Sequence, residues 1–308
     1  MLAPIILFVY NRPKHTLATL QALVANDLAN DSVIYIYADG PKENASEVDL
    51  KKIEDTRQVI RNCHGFKKVH IIESVSNNGL ANSVINGVTQ IIHQYSKVIV
   101  LEDDLITAKG FLKYMNDALL KYNDSEKVMQ ISGHQFPVEK WERNNEAFFL
   151  PFTTSWGWAT WKRAWDLFDL DAVGFEKLQF DQELQYRFNL NGSFSYSSML
   201  EAQMINKTID SWAIRWWWTV FNYNGVVLFP DFPLVLNIGF GVDSTHTATL
   251  PYLESDFSIR YSITIFPEEI NSDKVKFNLI CDYLRNKKIN KKKNKSFKNL
   301  IFKLIKSI

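Results

Sequence analysis

Through its first 135 residues the chain alternates short apolar runs with longer amphipathic stretches, a pattern few folds accept. PIILFVY (4–10), SVIYIYADG (32–40), KKVHIIES (67–74) and KVIVLEDDL (97–105) read as strands. Between the first two, Leu17, Leu20, Leu23 and Val24 mark one helical face. A charged helix-like stretch reaches about Arg61, and in NNGLANSVINGVTQIIHQY the residues Leu80, Val84, Val88 and Ile91 or Ile92 point inward. Strand and helix in regular alternation imply an α/β fold whose mostly parallel sheet carries helices on both faces.

The fourth strand drives its apolar run straight into Glu102, Asp103 and Asp104. In open sheets of this kind ligands collect beyond the carboxyl ends of the strands. Tyr10-Asn11-Arg12, Ala38-Asp39-Gly40, Asn77-Asn78-Gly79 and the acidic triplet all fall there, so they would line one crevice. Neither GxGxxG nor GxxxxGK[ST] is present, which argues against the common dinucleotide and P-loop phosphate sites. The usual alternative is a divalent cation: hard Mg²⁺ or Mn²⁺ prefers oxygen ligands and bridges to substrate phosphates with few protein groups.

Composition narrows the class. At 308 residues, 46% hydrophobic and 14% aromatic, the chain can bury a sizeable core as one large domain or two intimately joined halves. Cys63 and Cys281 are too few for a disulfide framework, and the N-terminal apolar run is too short to cross a bilayer, so a cytoplasmic protein is expected. The net charge of +1 conceals an asymmetry: ten Lys or Arg and no acid lie between Arg285 and Ile308, leaving 35 − 10 = 25 bases against 34 acids elsewhere. Within that tail Phe297, Leu300, Ile301, Leu304, Ile305 and Ile308 recur at helical spacing. A basic amphipathic helix of this kind suits an anionic membrane surface, here the inner face of the cell membrane; packing on the body is the alternative. The acidic body argues against nucleic acid.

A first strand ending at NRP, a second ending in ADG, and VIVLEDDL followed by GFLKYMNDAL together resemble a GT-A glycosyltransferase, with LEDDL in the place of the DXD metal motif. LEDDL followed some fifty residues later by SWGWATW is similar to the inverting N-acetylglucosaminyltransferase I type and to bacterial family 2-like transferases of surface polysaccharides. The resemblance implies a GT-A (Rossmann-like) sheet and hexosyl or N-acetylhexosaminyl transfer from a nucleotide-sugar donor, UDP-linked, to a saccharide or lipid-linked saccharide acceptor. It also implies roles. Asp104 would hold Mn²⁺ or Mg²⁺, and Glu102 and Asp103 would contact the donor or the waters of the metal. Asp39 would accept from the base, unless it is an ordinary Asp-Gly turn. Arg12 would sit beside the base or diphosphate, unless it merely starts a helix. Tyr10 and Asn78 complete the donor side.

The second half is rich in tryptophan: Trp156, Trp158, Trp161, Trp165, Trp212, Trp216, Trp217 and Trp218 fall in two runs. Indole faces suit sugar rings. Trp161, Trp165 and Trp217 fit a core as well, whereas Trp156 and Trp158, flanking Gly157, are expected to line an acceptor site. TIDSWAIRWWW resembles the segment carrying the catalytic base in the family, which puts that role on Asp210, with helix capping as the alternative. Asp166 reads as a surface partner of Lys162 or Arg163. NIGFGVDSTHT (237–247) resembles the loop closing over the donor, so Ser244 or His246 would contact the diphosphate or metal.

The organisation expected is a nucleotide-sugar half (1–135), an aromatic-rich acceptor and catalytic half (136–250), an extension (251–284) and a basic helical tail (285–308). Two rivals remain at this level: a GT-A-like nucleotidyltransferase, which would show a Gly-rich basic loop where NRPKHT stands, and a non-catalytic carbohydrate-binding or membrane-associated protein.

Overall fold

The computed structural model describes residues 1–138, 143–239 and 257–287. β1 (Ile5–Val9), α1 (Pro13–Val24), β2 (Val33–Ala38), α2 (Glu47–Arg61), β3 (Lys68–Glu73), α3 (Leu80–Tyr95) and β4 (Lys97–Glu102) follow in the alternating order the sequence predicts. β1 pairs in parallel with β2 on one side and β4 on the other, and β2 with β3. The chain therefore steps outward from β1 to β3, then returns to lay β4 beside β1. This reversal of strand order opens a crevice at the carboxyl ends of β1 and β4.

The apolar runs are continuous because both faces of the sheet are covered. Along β1, Ile6 and Phe8 join a core with α3, while Ile5, Leu7 and Val9 join a second core with α1. β4 divides the same way, Val98 and Val100 against Ile99 and Leu101. On α1 the buried face is rotated from the one expected. Thr16, Thr19, Leu20 and Leu23 are buried, whereas Leu17 and Val24 are 45% and 39% exposed. The threonines tolerate burial because Thr16 Oγ1 donates to the Arg12 carbonyl and Thr19 Oγ1 to that of Asp103, each at 2.9 Å. Leu80 is likewise exposed at the start of α3, while Val84, Val88, Ile91 and Ile92 lie inward.

Beyond β4 come β5 (Leu105–Thr107), α4 (Phe111–Lys121), β6 (Val128–Ser132), β7 (Ala147–Leu150), β8 (Trp158–Trp161), α5 (Lys162–Trp165), α6 (Gln182–Phe188), α7 (Tyr196–Met204), α8 (Trp212–Asn222), β9 (Val226–Pro230) and β10 (Val235–Asn237), and a helix α9 over 274–287. β8 enters antiparallel between β4 and β6, β9 runs parallel to β6, and β7 closes the edge antiparallel to β9. β7 and β8 thus oppose the other six strands, and the α/β class with a mostly parallel, helix-flanked sheet holds. Strands from both sides of residue 135 belong to this one sheet, so the two expected halves share a core.

That core explains the tryptophans. Seven of the eight rings in the two runs are at most 3% exposed, and Trp156 is the exception. Trp158 stacks on Trp212 at 4.9 Å and tilts against Trp165 at 5.7 Å. Buried indoles need partners for Nε1–H: Trp161 donates to the Leu119 carbonyl (3.0 Å), Trp165 to Thr89 Oγ1 (2.9 Å) and Trp216 to Gln130 Oε1 (2.6 Å). The segment 257–287 packs back on the body. There Tyr122 donates to the Pro267 carbonyl (2.7 Å), and Lys276 pairs with buried Asp231 (2.9 Å). Among the described residues no helix is long and apolar enough to cross a membrane. The tail from 288 onward, Ser244 and His246 lie outside the described residues.

Candidate active site

Two loops that end adjacent parallel strands meet at the crevice. After β1, Arg12 starts α1, and Pro13 behind it has the fixed φ that suits a first helical residue. After β4, the triplet leaves the sheet. Arg12 Nη1 lies 3.0 Å from Asp104 Oδ2 and 3.8 Å from Asp103 Oδ1, and the three side chains are only 16%, 14% and 11% exposed. A third segment covers the acids. β10 pairs antiparallel with β5, the Ile238 N–H donates to the Asp104 carbonyl (2.9 Å), and Gly239 presses its backbone against the Asp104 carboxylate.

Crowding three acids at a buried strand end disfavours their charged forms. Glu102 is pushed up to about 8, first by desolvation, then by the charges of Asp104 and Asp103, with Arg12 opposing. Asp103 is pushed up to about 7 by desolvation and by Asp104, and Asp104 is raised by burial against the pull of Arg12. The three form one coupled set.

Asp103 and Asp104 present carboxylate oxygens, the kind of donor a hard divalent cation takes. Among the described residues no three His, Cys, Asp or Glu converge as a metal cage. An ion there would take one or two carboxylates and complete its shell with phosphate oxygens and water, the ordinary arrangement for Mg²⁺.

Asp39 does something other than expected. Its carboxylate accepts from the backbone N–H groups of Gly40 (2.9 Å), Asn78 (2.8 Å) and Gly79 (3.0 Å) and from Asn77 Nδ2 (2.9 Å), with Asn78 Nδ2 at 3.4 Å. A carboxylate has about four lone-pair positions, so these donors saturate it. The residue ties the loop after β2 to the loop after β3, and these bonds take up most of the carboxylate expected to accept from a base. Asn78 is drawn into the same knot, its side chain also donating to Ser74 Oγ (3.1 Å). Tyr10 stands near Asp39, whose charge, after desolvation and that of Asp49, raises its phenol.

Asp210 lies at the rim. It precedes α8, whose N-cap is Ser211 with its Oγ accepting from the Ile214 N–H, so Asp210 does not cap. Its carboxylate is 57% exposed, 3.4 Å from Arg215 Nη2, and 3.9 Å from where a β-carbon on Gly79 would stand. Trp156 is half-buried and meets His134 edge-on at 4.6 Å; the two line a small pocket with Gln135, Val235 and Asn237. That pocket adjoins the acids, because Asn237 pairs with Leu105, the residue after Asp104. Trp158, expected beside Trp156, faces the core and offers no surface to a sugar. Asp166 pairs with Lys162, as expected, and with His93 (3.2 Å).

Three neighbours escaped the sequence reading. His15, one turn along from Arg12, hydrogen-bonds the Ile238 carbonyl at 3.3 Å and lowers Asp104 after Arg12 does; its spacing of three from Arg12 was the available signal. His134 is kept neutral, burial pushing its imidazole down to about 3. Gly239 belongs to the 237–247 segment expected over the donor, but nothing in that segment singles out its closeness to Asp104.

No protein-family model and no curated protein matches the chain. Solved structures overlap parts of it. S. aureus TarS is 16% identical over 50% of this chain and 25% of its own, with a TM-score of 0.30. Mouse xyloside xylosyltransferase 1 is 10% identical over 72% and 82%, at 0.35. A UDP-glucose pyrophosphorylase complexed with UDP-glucose is 10% identical over 54% and 79%, at 0.31. At scores this low the likeness carries no family or activity across, and the site stands on its own side chains.

Proposed function

We propose that the chain is a metal-dependent, inverting glycosyltransferase that moves a sugar from a nucleotide-sugar donor, UDP-linked, to a saccharide acceptor. The observation that supports this reading is the meeting of Arg12 with buried Asp103 and partly buried Asp104 where the strand order reverses, with no glycine-rich phosphate loop beside them.

Asp104, with Asp103 beside it, would hold Mn²⁺ or Mg²⁺. When bound, the ion would neutralise the charge developing on the leaving diphosphate. Glu102, with its raised affinity for a proton, serves the donor side as a neutral or charged hydrogen-bonding group depending on pH. Asp39 is a positioning residue that fixes the donor-side loops. Asp210 is the base. The acceptor hydroxyl oxygen forms a bond to the anomeric carbon and its proton passes to the Asp210 carboxylate. The anomeric carbon–oxygen bond breaks, its electron pair leaving with the diphosphate. Trp156 offers the acceptor an aromatic wall. The basic segment 285–308 would bring the enzyme to the inner membrane face and to a lipid-linked acceptor.

A panel of nucleotide sugars tests this by thermal stabilisation with Mn²⁺ and with EDTA. One donor should stabilise the protein only with metal. In the reaction with that donor and its acceptor, Asp210→Asn should lower turnover about 10²–10⁴-fold with donor binding retained. Full turnover in that variant, or no response to any donor, would overturn the reading. Release of free nucleoside triphosphate from donor and pyrophosphate would point instead to nucleotidyl transfer.

A further inference from the structure

Arg12 occupies a position that a divalent cation would have to contest. Its Nη1 is 3.0 Å from Asp104 Oδ2 and 3.8 Å from Asp103 Oδ1, and among the described residues no other cation is paired with either carboxylate. A divalent ion binds a carboxylate oxygen at about 2.0–2.6 Å. Placed on Asp104, it would bring two positive centres close together in a poorly hydrated site, where like charges repel far more strongly than in water. The guanidinium cannot relieve this by losing its proton. It has to move.

We propose that Arg12 is the built-in counter-cation of the acid site, which an entering divalent cation displaces, turning the guanidinium into the crevice as a ligand for the donor's diphosphate. The inference rests on the metal-dependent reading above. The backbone permits only a side-chain swing. The Arg12 carbonyl accepts from both Thr16 N and Thr16 Oγ1 at 2.9 Å, and Pro13 follows as the first residue of α1. The planar fork of a guanidinium suits phosphate oxygens as well as it suits a carboxylate. One residue thus holds the acid cluster together before the metal arrives and grips the diphosphate afterwards. Metal binding is thereby coupled to assembly of the phosphate site.

The coupling predicts opposite signs for two affinities. In the full-length protein, Arg12→Ala should bind Mn²⁺ at least about tenfold more tightly than the wild type by isothermal titration, because the competing cation is gone. It should bind UDP, with Mn²⁺ saturating, at least about tenfold more weakly. Its metal-free melting temperature should fall and recover on adding Mn²⁺. Arg12→Gln provides the same test with the stem retained should the alanine variant fold poorly, and Asp104→Asn should abolish Mn²⁺ binding in either background. Unchanged or weaker Mn²⁺ affinity in the Arg12 variants overturns the proposal. Tighter Mn²⁺ binding with no UDP binding to any variant upholds the competition but overturns the transferase reading. Absence of Mn²⁺ and Mg²⁺ binding from every variant and the wild type overturns both.

Discussion

Gly239 stands so close to Asp104 that a β-carbon on it would lie 2.0 Å from Asp104 Oδ2. The obstruction is a short carboxylate arm paired with Arg12, and that side chain is what yields. Gly239→Ala should therefore move Asp104 off its present position. The expected result is a loss of Mn²⁺ affinity of about tenfold or more, with global stability changed by less than about 1 kcal/mol. Calorimetric titration and urea unfolding of the same preparation check the two halves.

The acid cluster sets a pH dependence of stability. Glu102 and Asp103 keep protons in the folded protein up to about 8 and about 7, whereas the unfolded chain gives them up near 4.5 and 3.8. Between those limits the folded state binds more protons, so stability is fully present at acid pH and is lost as pH rises through the folded values. Metal-free protein should melt at progressively lower temperature from pH 5 to 8.5 through these groups, the coupled set contributing a few kcal/mol at about 1.4 kcal/mol per unit. Glu102→Gln should flatten the profile, and Mn²⁺ should restore stability chiefly at the alkaline end.

Asp39 holds three backbone N–H groups from two loops, so removing it strands donors that have no other acceptor in that knot. Asp39→Ala should cost about 2–4 kcal/mol in urea unfolding. Preserved stability alongside a large loss of nucleotide affinity would return the residue to a base-reading role. Gly40 belongs to the same arrangement, since a β-carbon there would sit 2.6 Å from the Ser76 backbone.

Trp156 and Trp158 are two residues apart and should behave in opposite ways. Trp158→Ala removes a ring packed against Trp165 and Trp212 and should destabilise by about 3–5 kcal/mol. Trp156→Ala should cost much less stability and instead raise the apparent KM for the acceptor. Thermal melts and steady-state kinetics of the two variants separate packing from recognition.

The first four strands and their helices were legible because each apolar run is local, and because turn and acid signals fall at its end. The crevice followed from the alternation alone. The buried face of α1 lies part of a turn from the hydropathic one because Thr16 and Thr19 satisfy their hydroxyls on nearby carbonyls, which hydropathy does not register. Tryptophan richness indicated rings without saying which way they face: β8 is sandwiched between β4 and β6, and that non-local insertion is what buries Trp158. The sequence places Asp39 at the crevice but does not reveal that Asn78 and Gly79 turn their N–H groups back on it. The approach of Gly239 to Asp104 depends on β10 crossing to β5, a pairing between distant segments that only the resemblance of 237–247 to a donor-closing loop foreshadows.

The antiparallel pair of β5 and β10 has a consequence for the order in which the molecule matures. Arg12 and the acids need only β1 and β4 side by side to meet, whereas the wall formed by Asn237, Ile238 and Gly239 lies far along the chain, beyond most of the aromatic core. A chain emerging from its N-terminus would pass through a stage in which its most highly charged residues are gathered yet still open to water. The Asn237–Gly239 wall comes to the acids only through a pairing of distant segments, so the burial that raises Glu102 and Asp103 waits on long-range assembly of the chain.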